Sequence, residues 1–165
     1  MIEFDIAAPR PTVWEHFTLP GLRPKWRGAD EVRETLESGR RGIGTTNHCM
    51  HGPHAIIEEV LDWRPFDYLT ISTLLPIPDA PKVFLTYAFL ESAGGCTHVE
   101  IRVAKPKPKD RAFLEKVGVE FQKTITSEVA TLRLMIEGQK GASAVEEPTL
   151  PVSAERFLTQ PVRAR

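Results

Sequence analysis

One stretch of this chain limits its fold more than any other. Between residues 110 and 137 the apolar side chains recur at three-and-four spacing: Leu114, Val117, Phe121, Ile125, Val129, Leu132 and Ile136. That period is the apolar stripe of an amphipathic helix. Asp110 suits its N-terminal cap, and Gly138 is expected to stop it. Twenty-eight residues at 1.5 Å each make about 42 Å of helix. A helix that long needs a wide partner surface, and the rest of the chain offers strands.

Ile2, Phe4 and Ile6 alternate with Glu3 and Asp5, the pattern of a half-buried strand. Pro9 and Pro11 lead into a short helix at 12–17, where Val13, Trp14 and Phe17 share a face, since proline is tolerated in a first helical turn. Pro20-Gly21 and Pro24 break it, leaving a turn or two at 22–26 with Trp26 under the sheet edge. Strands are then expected at 32–37, 44–50, 54–62, 68–75, 83–90 and 96–103, separated by turn residues such as Ser38-Gly39, Gly52-Pro53, Arg64-Pro65, the Pro76–Pro81 run and Gly94-Gly95. The order is one strand, two short helices, six strands and one long helix. An α+β domain with a curved seven-stranded antiparallel sheet follows, the long helix lying across the concave face. Residues 1–137 form the domain. Residues 138–165, rich in proline and small residues, read as a flexible tail or linker in which Phe157 and Leu158 could dock locally.

Composition excludes several functions. With 21 basic and 22 acidic residues the net charge is -1, a poor balance for neutralising a nucleic-acid backbone. No apolar run approaches the roughly 20 residues of a membrane helix. The start, Met1-Ile2-Glu3-Phe4-Asp5, carries no basic n-region, so no signal peptide is expected. Two cysteines make no disulfide framework, and a cytoplasmic setting with no stable membrane insertion is expected.

Four potential metal ligands, His48, Cys49, His51 and His54, fall within seven residues. Strand alternation splits them between two faces, so neither a metal nor another cofactor is assigned. His48, His51 and His98 are candidate acid–base groups, since imidazole is the side chain suited to proton transfer near neutral pH. Glu58, Glu59, Tyr87 and Arg102 are further polar candidates for an enclosed site, but the equally apolar neighbours of Glu58 and Glu59 leave open which faces inward. Glu128 interrupts the helical stripe. A slight rotation of the helix, the favoured reading, would turn it to solvent; otherwise it sits at the mouth of that site or pairs with an arginine from the sheet, since a buried carboxylate needs a partner. Lys105, Lys107, Lys109 and Arg111 make a local basic run of the weakly attractive, salt-sensitive kind.

The element order, together with Ile6-Ala7-Ala8-Pro9, Val13-Trp14, Trp26, Gly42-Ile43-Gly44, 58–65 (Glu-Glu-Val-Leu-Asp-Trp-Arg-Pro) and Gly94-Gly95-Cys96-Thr97, resembles the START-like (SRPBCC) superfamily of polyketide cyclases, lipid-transfer domains, chaperone activators and pollen-allergen proteins. The resemblance spans about residues 1–137. It implies a helix-grip fold enclosing an apolar pocket for a lipid, polyketide or similar small hydrophobic molecule. Candidate wall residues are Leu74, Phe84, Tyr87, Phe89, Phe113, Val117 and Phe121, with Glu58 and Arg102 as polar contacts. The alternatives are a cyclase/aromatase-type enzyme using His48 or His51 as acid–base, and a non-catalytic regulatory module. The run Cys49-Met50-His51-Gly52 is similar to one in START-like domains that precede nucleotide-cyclase domains, which would make such a cyclase the module's partner. Oligomeric state is left open.

Overall fold

The computed structural model describes residues 1–143, with side chains through Gly138. Seven strands form one antiparallel sheet in the order β1-β7-β6-β5-β4-β3-β2. They are β1 (Ile2–Ile6), β2 (Glu31–Thr35), β3 (Thr46–His51), β4 (His54–Arg64), β5 (Tyr68–Leu74), β6 (Val83–Ser92) and β7 (Cys96–Val103). Two short helices, α1 (Arg10–Thr18) and α2 (Pro24–Arg27), bridge β1 and β2, and α3 (Arg111–Ser143) closes the described chain. The element order is the one the sequence predicts. The helix, however, continues through Gly138 to Ser143. One glycine costs a helix only about 1 kcal/mol, too little to end one with good formers on both sides. The remainder of the expected tail, with Phe157 and Leu158, lies outside the described residues.

Side-chain alternation gives the sheet two unlike faces. Inward point Ile6, Val60, Leu69, Ile71, Leu85, Tyr87, Phe89, Val99 and Ile101, all at most 5% exposed. Here α1 and α2 contribute Trp14, Phe17 and Trp26: Trp14 and Phe17 meet Phe89 and Tyr87 at 5.2–5.5 Å, and Trp26 packs on Phe17 at 4.7 Å, in tilted or edge-on pairs. Trp26 donates its indole N–H to the His16 carbonyl at 2.9 Å, tying α2 to α1. Gly28 ends α2 in the left-handed region at φ 62°, which a β-carbon would resist.

A bulge decides the register of β4. Pairing with β5 shifts between Val60 and Asp62, so Leu61 is left over. Before the bulge Glu58 and Val60 face inward. After it the parity flips, and Trp63, not Asp62, points into the core, its ring 4.8 Å from Trp14. Asp62 faces out and accepts a hydrogen bond from the Tyr68 hydroxyl at 2.9 Å.

Along its length α3 changes partner. From Ile125 onward its stripe is sealed against the core: Ile125, Val129, Leu132 and Ile136 are all at most 5% exposed. The stripe residues of the first half, Leu114, Val117 and Phe121, are only half-buried.

Candidate functional site

The inner face of the sheet carries a row of four polar residues, one on each of β2 to β5, that ends at Val83 on β6. The pairings Glu34 to Asn47, Asn47 to Glu58, Glu58 to Thr73 and Thr73 to Val83 place these residues side by side. Glu58, 2% exposed, is the centre of the row. A carboxylate there needs counter-charge, and α2 supplies it. Arg23 Nη2 donates to Glu58 Oε2 at 2.5 Å, and Arg27 Nη2 lies 3.8 Å from the other oxygen. Arg27 reaches on to Glu128 of α3 at 3.3 Å and donates to the Tyr87 hydroxyl at 3.4 Å. Two arginines and two glutamates thus form a closed, charge-balanced cluster joining α2, the sheet and α3.

The cluster sets its own protonation. Burial would raise the Glu58 pKa, but Arg23 and Arg27 outweigh it and hold the carboxyl below its ordinary value. Burial would lower both arginines, yet Glu58 around Arg23, and Tyr87, Glu58 and Glu128 around Arg27, hold them above theirs. Glu128 goes the other way: desolvation exceeds the pull of Arg27, and its pKa is raised. Burial, reinforced by Glu58, also raises the Cys49 thiol, which argues against a thiolate nucleophile.

Where the first half of α3 stands away from the sheet, a cavity of about 280 Å³ remains. The sheet wall is Ile56, Leu75, Val83, Leu85 and Val103; the helix wall is Leu114, Val117, Gly118 and Phe121. Arg27, Glu58, Thr73 and Glu128 close the inner end, and His51 joins the wall. From Leu114 to Glu128 the helix runs about 21 Å. A smaller void of about 20 Å³, roughly one water in size, lies behind the cluster among Arg23, Asn47, Glu58 and Tyr87.

The structure sorts the residues expected from sequence. Val117, Phe121, Glu58 and His51 line the cavity. Glu58 faces inward and Glu59 outward, near Lys82 at 3.6 Å. Tyr87 and Phe89 face inward but are packed core, 3% and 1% exposed, with Tyr87 behind the charge cluster. Phe113 is half-buried and off the cavity, one position before the lining residue Leu114. His48, Leu74, Phe84 and Arg102 belong to the opposite face. Their register partners Ile57, Ser72 and Thr86 alternate with the inward residues, so strand parity carries them outward. There Arg102 pairs with Glu100, and Phe84 is 44% exposed. His98 shares that outer face, 2.9 Å from Asp5. Glu128 is neither solvated nor held by the sheet; its partner Arg27 comes from α2. Among the described residues no three His, Cys, Asp or Glu side chains are grouped to hold a metal ion.

Sequence reasoning passed over Arg23 and Arg27. A signal was present: Arg23 and Arg27 are four apart, so on a helical turn they share one face and can converge on one carboxylate. It also passed over the sheet wall formed by Ile56, Val83, Leu85 and Val103, whose orientation depends on register.

No family model matches this chain, and no curated protein does. Solved structures do. CalU16 from Micromonospora echinospora superposes with a TM-score of 0.59 at 21% identity, over 86% of this chain and 82% of its own. PFC0360w, an HSP90 activator from Plasmodium falciparum, gives 0.60 at 10% identity, over 83% and 97%. DynU16, from the dynemicin biosynthetic locus, gives 0.56 at 17% identity over 82% of this chain and 46% of its own. At these identities the likeness is one of fold. It is a helix-grip fold, a seven-stranded antiparallel sheet with two short helices and one long one, as the element order implies. Among the described residues no helix is long and apolar enough to cross a membrane.

Proposed function

We propose that this protein binds a small hydrophobic molecule in the cavity between the sheet and the first half of α3. The observation that carries the reading is the change of partner along α3. The same apolar stripe is sealed by protein from Ile125 onward and faces a cavity of about 280 Å³ before it. Leu114, Val117 and Phe121 on the helix, opposite Val83, Leu85 and Val103 on the sheet, gain burial from an apolar occupant, worth about 25 cal/mol per Å² before ordering costs. The size is near the lower end for ligand pockets, roughly 300 Å³.

The test is native mass spectrometry of the full chain before and after organic extraction, beside Gly118→Phe. Gly118 lines the cavity, and a β-carbon there has nothing within 4 Å. A phenylalanine therefore grows into the cavity rather than into the core. A co-purifying mass of a few hundred daltons, present in the parent and absent from Gly118→Phe, is expected. Apo spectra for both, with no uptake of added apolar compounds, would overturn the reading.

A second reading, an enzyme of the cyclase/aromatase kind, is favoured by His51, the one imidazole in the cavity wall among the described residues. His51→Ala then abolishes turnover and spares binding; unchanged binding and no substrate turned over by the parent would leave the carrier reading alone.

A further inference from the structure

The bound molecule, on the reading above, has a definite polarity, and the distribution of charge around the cavity sets it. We propose that the ligand is an anionic amphiphile whose apolar body fills the cavity and whose anionic group lies outside, among Lys105, Lys107 and Lys109.

The inner end cannot take a charged group. Arg23 and Arg27 face Glu58 and Glu128 there, and each arginine is already within 4 Å of a glutamate. An anion placed beside Glu58 and Glu128 would be a third buried negative charge against two cations, and an ammonium would meet the arginines. The ligand end that reaches this cluster is therefore uncharged.

The mouth is different. At the Val83 and Leu114 end the cavity adjoins a second groove, of about 480 Å³, which shares those two residues. Lys82, Lys105, Lys107 and Lys109 line this groove against Asp79 and Asp110. Lys82 lies 3.6 Å from Glu59. Lys105, Lys107 and Lys109 are exposed, and no carboxylate of the described residues lies within ion-pair distance of them. Lysines alternate with Pro106 and Pro108, and Lys107 has the extended backbone of a polyproline segment, φ -63° and ψ 150°. Pro108–Asp110 then form a single 3-10 turn that leads into α3. A chain whose net charge is -1 thus concentrates unpaired cations at the open end of its apolar cavity. Val83 and Leu114, which line both spaces, offer apolar contact to the first carbons beyond the mouth.

The experiment titrates the full chain with decanoate, decan-1-ol and decylammonium at low and high salt. It compares the parent with a triple variant, Lys105→Glu, Lys107→Glu and Lys109→Glu. All three positions are exposed, and a matching thermal midpoint verifies that the variant is folded. Decanoate is expected to bind best, to weaken with salt, and to lose about tenfold or more in the variant, while decan-1-ol changes less than twofold. Equal affinity for the three compounds, or a variant that binds decanoate as the parent does, overturns the assignment of charge and leaves hydrophobic binding standing. Failure of all three compounds to bind the parent overturns the binding reading itself. Vesicles of phosphatidylglycerol form the last arm. Co-sedimentation with them, without uptake of decanoate, would assign the lysines to a bilayer surface and overturn the free amphiphile as their occupant.

Discussion

Glu58 shows how much one buried charge can decide. Its carboxylate, 2% exposed, holds the buried Arg23 at the start of α2 and the half-buried Arg27 at its end against the sheet. Glu58→Gln leaves both guanidiniums in the interior with only Glu128 to balance them. A loss of about 3–5 kcal/mol is expected in urea unfolding, the usual cost of breaking a buried pair on one side. Glu59→Gln, one residue along and facing solvent, is expected to stay within about 0.5 kcal/mol. The two substitutions are chemically the same, so the difference reads out burial alone. The same pair predicts a pH dependence. Arg23 and Arg27 hold the folded Glu58 carboxyl below its ordinary value, so the unfolded chain takes up that proton first as pH falls. The stabilisation is complete above the ordinary glutamate range, roughly pH 4–5, and is lost as pH drops through the lower folded value. Glu128 has the opposite sign: its raised pKa favours the protonated folded form, and its ionisation weakens the fold as pH rises through that value. Unfolding between pH 3 and 7 should show a steep acid limb in the parent and a shallower one in Glu58→Gln. The sequence could not place this glutamate, because Ile56 and Val60 on one side and Ile57 and Leu61 on the other are equally apolar. Parity was fixed by pairing with neighbours far along the chain and by a one-residue bulge after Val60, neither of which has a local signal.

At the scale of elements the long helix is two helices in function. Residues 111–124 roof a cavity and residues 125–138 complete the core. Amide exchange should separate them, with markedly lower protection in the first segment, because fewer buried contacts oppose its opening. Side-chain truncation should separate them too. Leu132→Ala, at a fully buried position, is expected to cost about 2–5 kcal/mol. Val117→Ala, at a half-buried position on the cavity wall, falls well below that range. Gly118→Ala should stabilise the protein by up to about 1 kcal/mol in the same assay, since the site is helical, the added β-carbon meets nothing within 4 Å, and alanine removes glycine's conformational cost. The elements were legible in the sequence because each has a local signal: period two for β1, turn residues bounding the later strands, three-and-four spacing for α3. The wall residues were less so. Leu74, Phe84 and Arg102 have the right composition for a pocket, but a strand sends alternate side chains to opposite faces, and only the register says which set goes in.

The whole molecule is a sheet gripped by one helix at its far half and by a cluster of ion pairs at the helix midpoint. Sequence could not show that the first half of the helix stands off. Leu114, Val117 and Phe121 repeat with the same spacing as Ile125, Val129, Leu132 and Ile136, and apolar periodicity records that a face avoids water without recording whether protein or ligand covers it. That ambiguity has a thermodynamic consequence. If the cavity is a binding site, the folded chain alone presents it, since its walls come from β4, β5, β6, β7 and α3 and exist only when the sheet and helix are assembled. An occupant must then stabilise the fold by an amount set by its concentration relative to Kd, about 2.7 kcal/mol at a hundredfold excess. For a domain of this size that corresponds to a rise in Tm of roughly 5–10 °C. Decanoate at saturating concentration is expected to produce such a shift in the parent by differential scanning fluorimetry. Gly118→Phe should abolish it with the core untouched, because the ring occupies the space the ligand needs. Glu59→Gln, on the other face of the sheet, should leave it unchanged. A shift of equal size in the parent and in Gly118→Phe would mean that decanoate binds elsewhere on the folded chain, and the cavity would lose its claim to be the site.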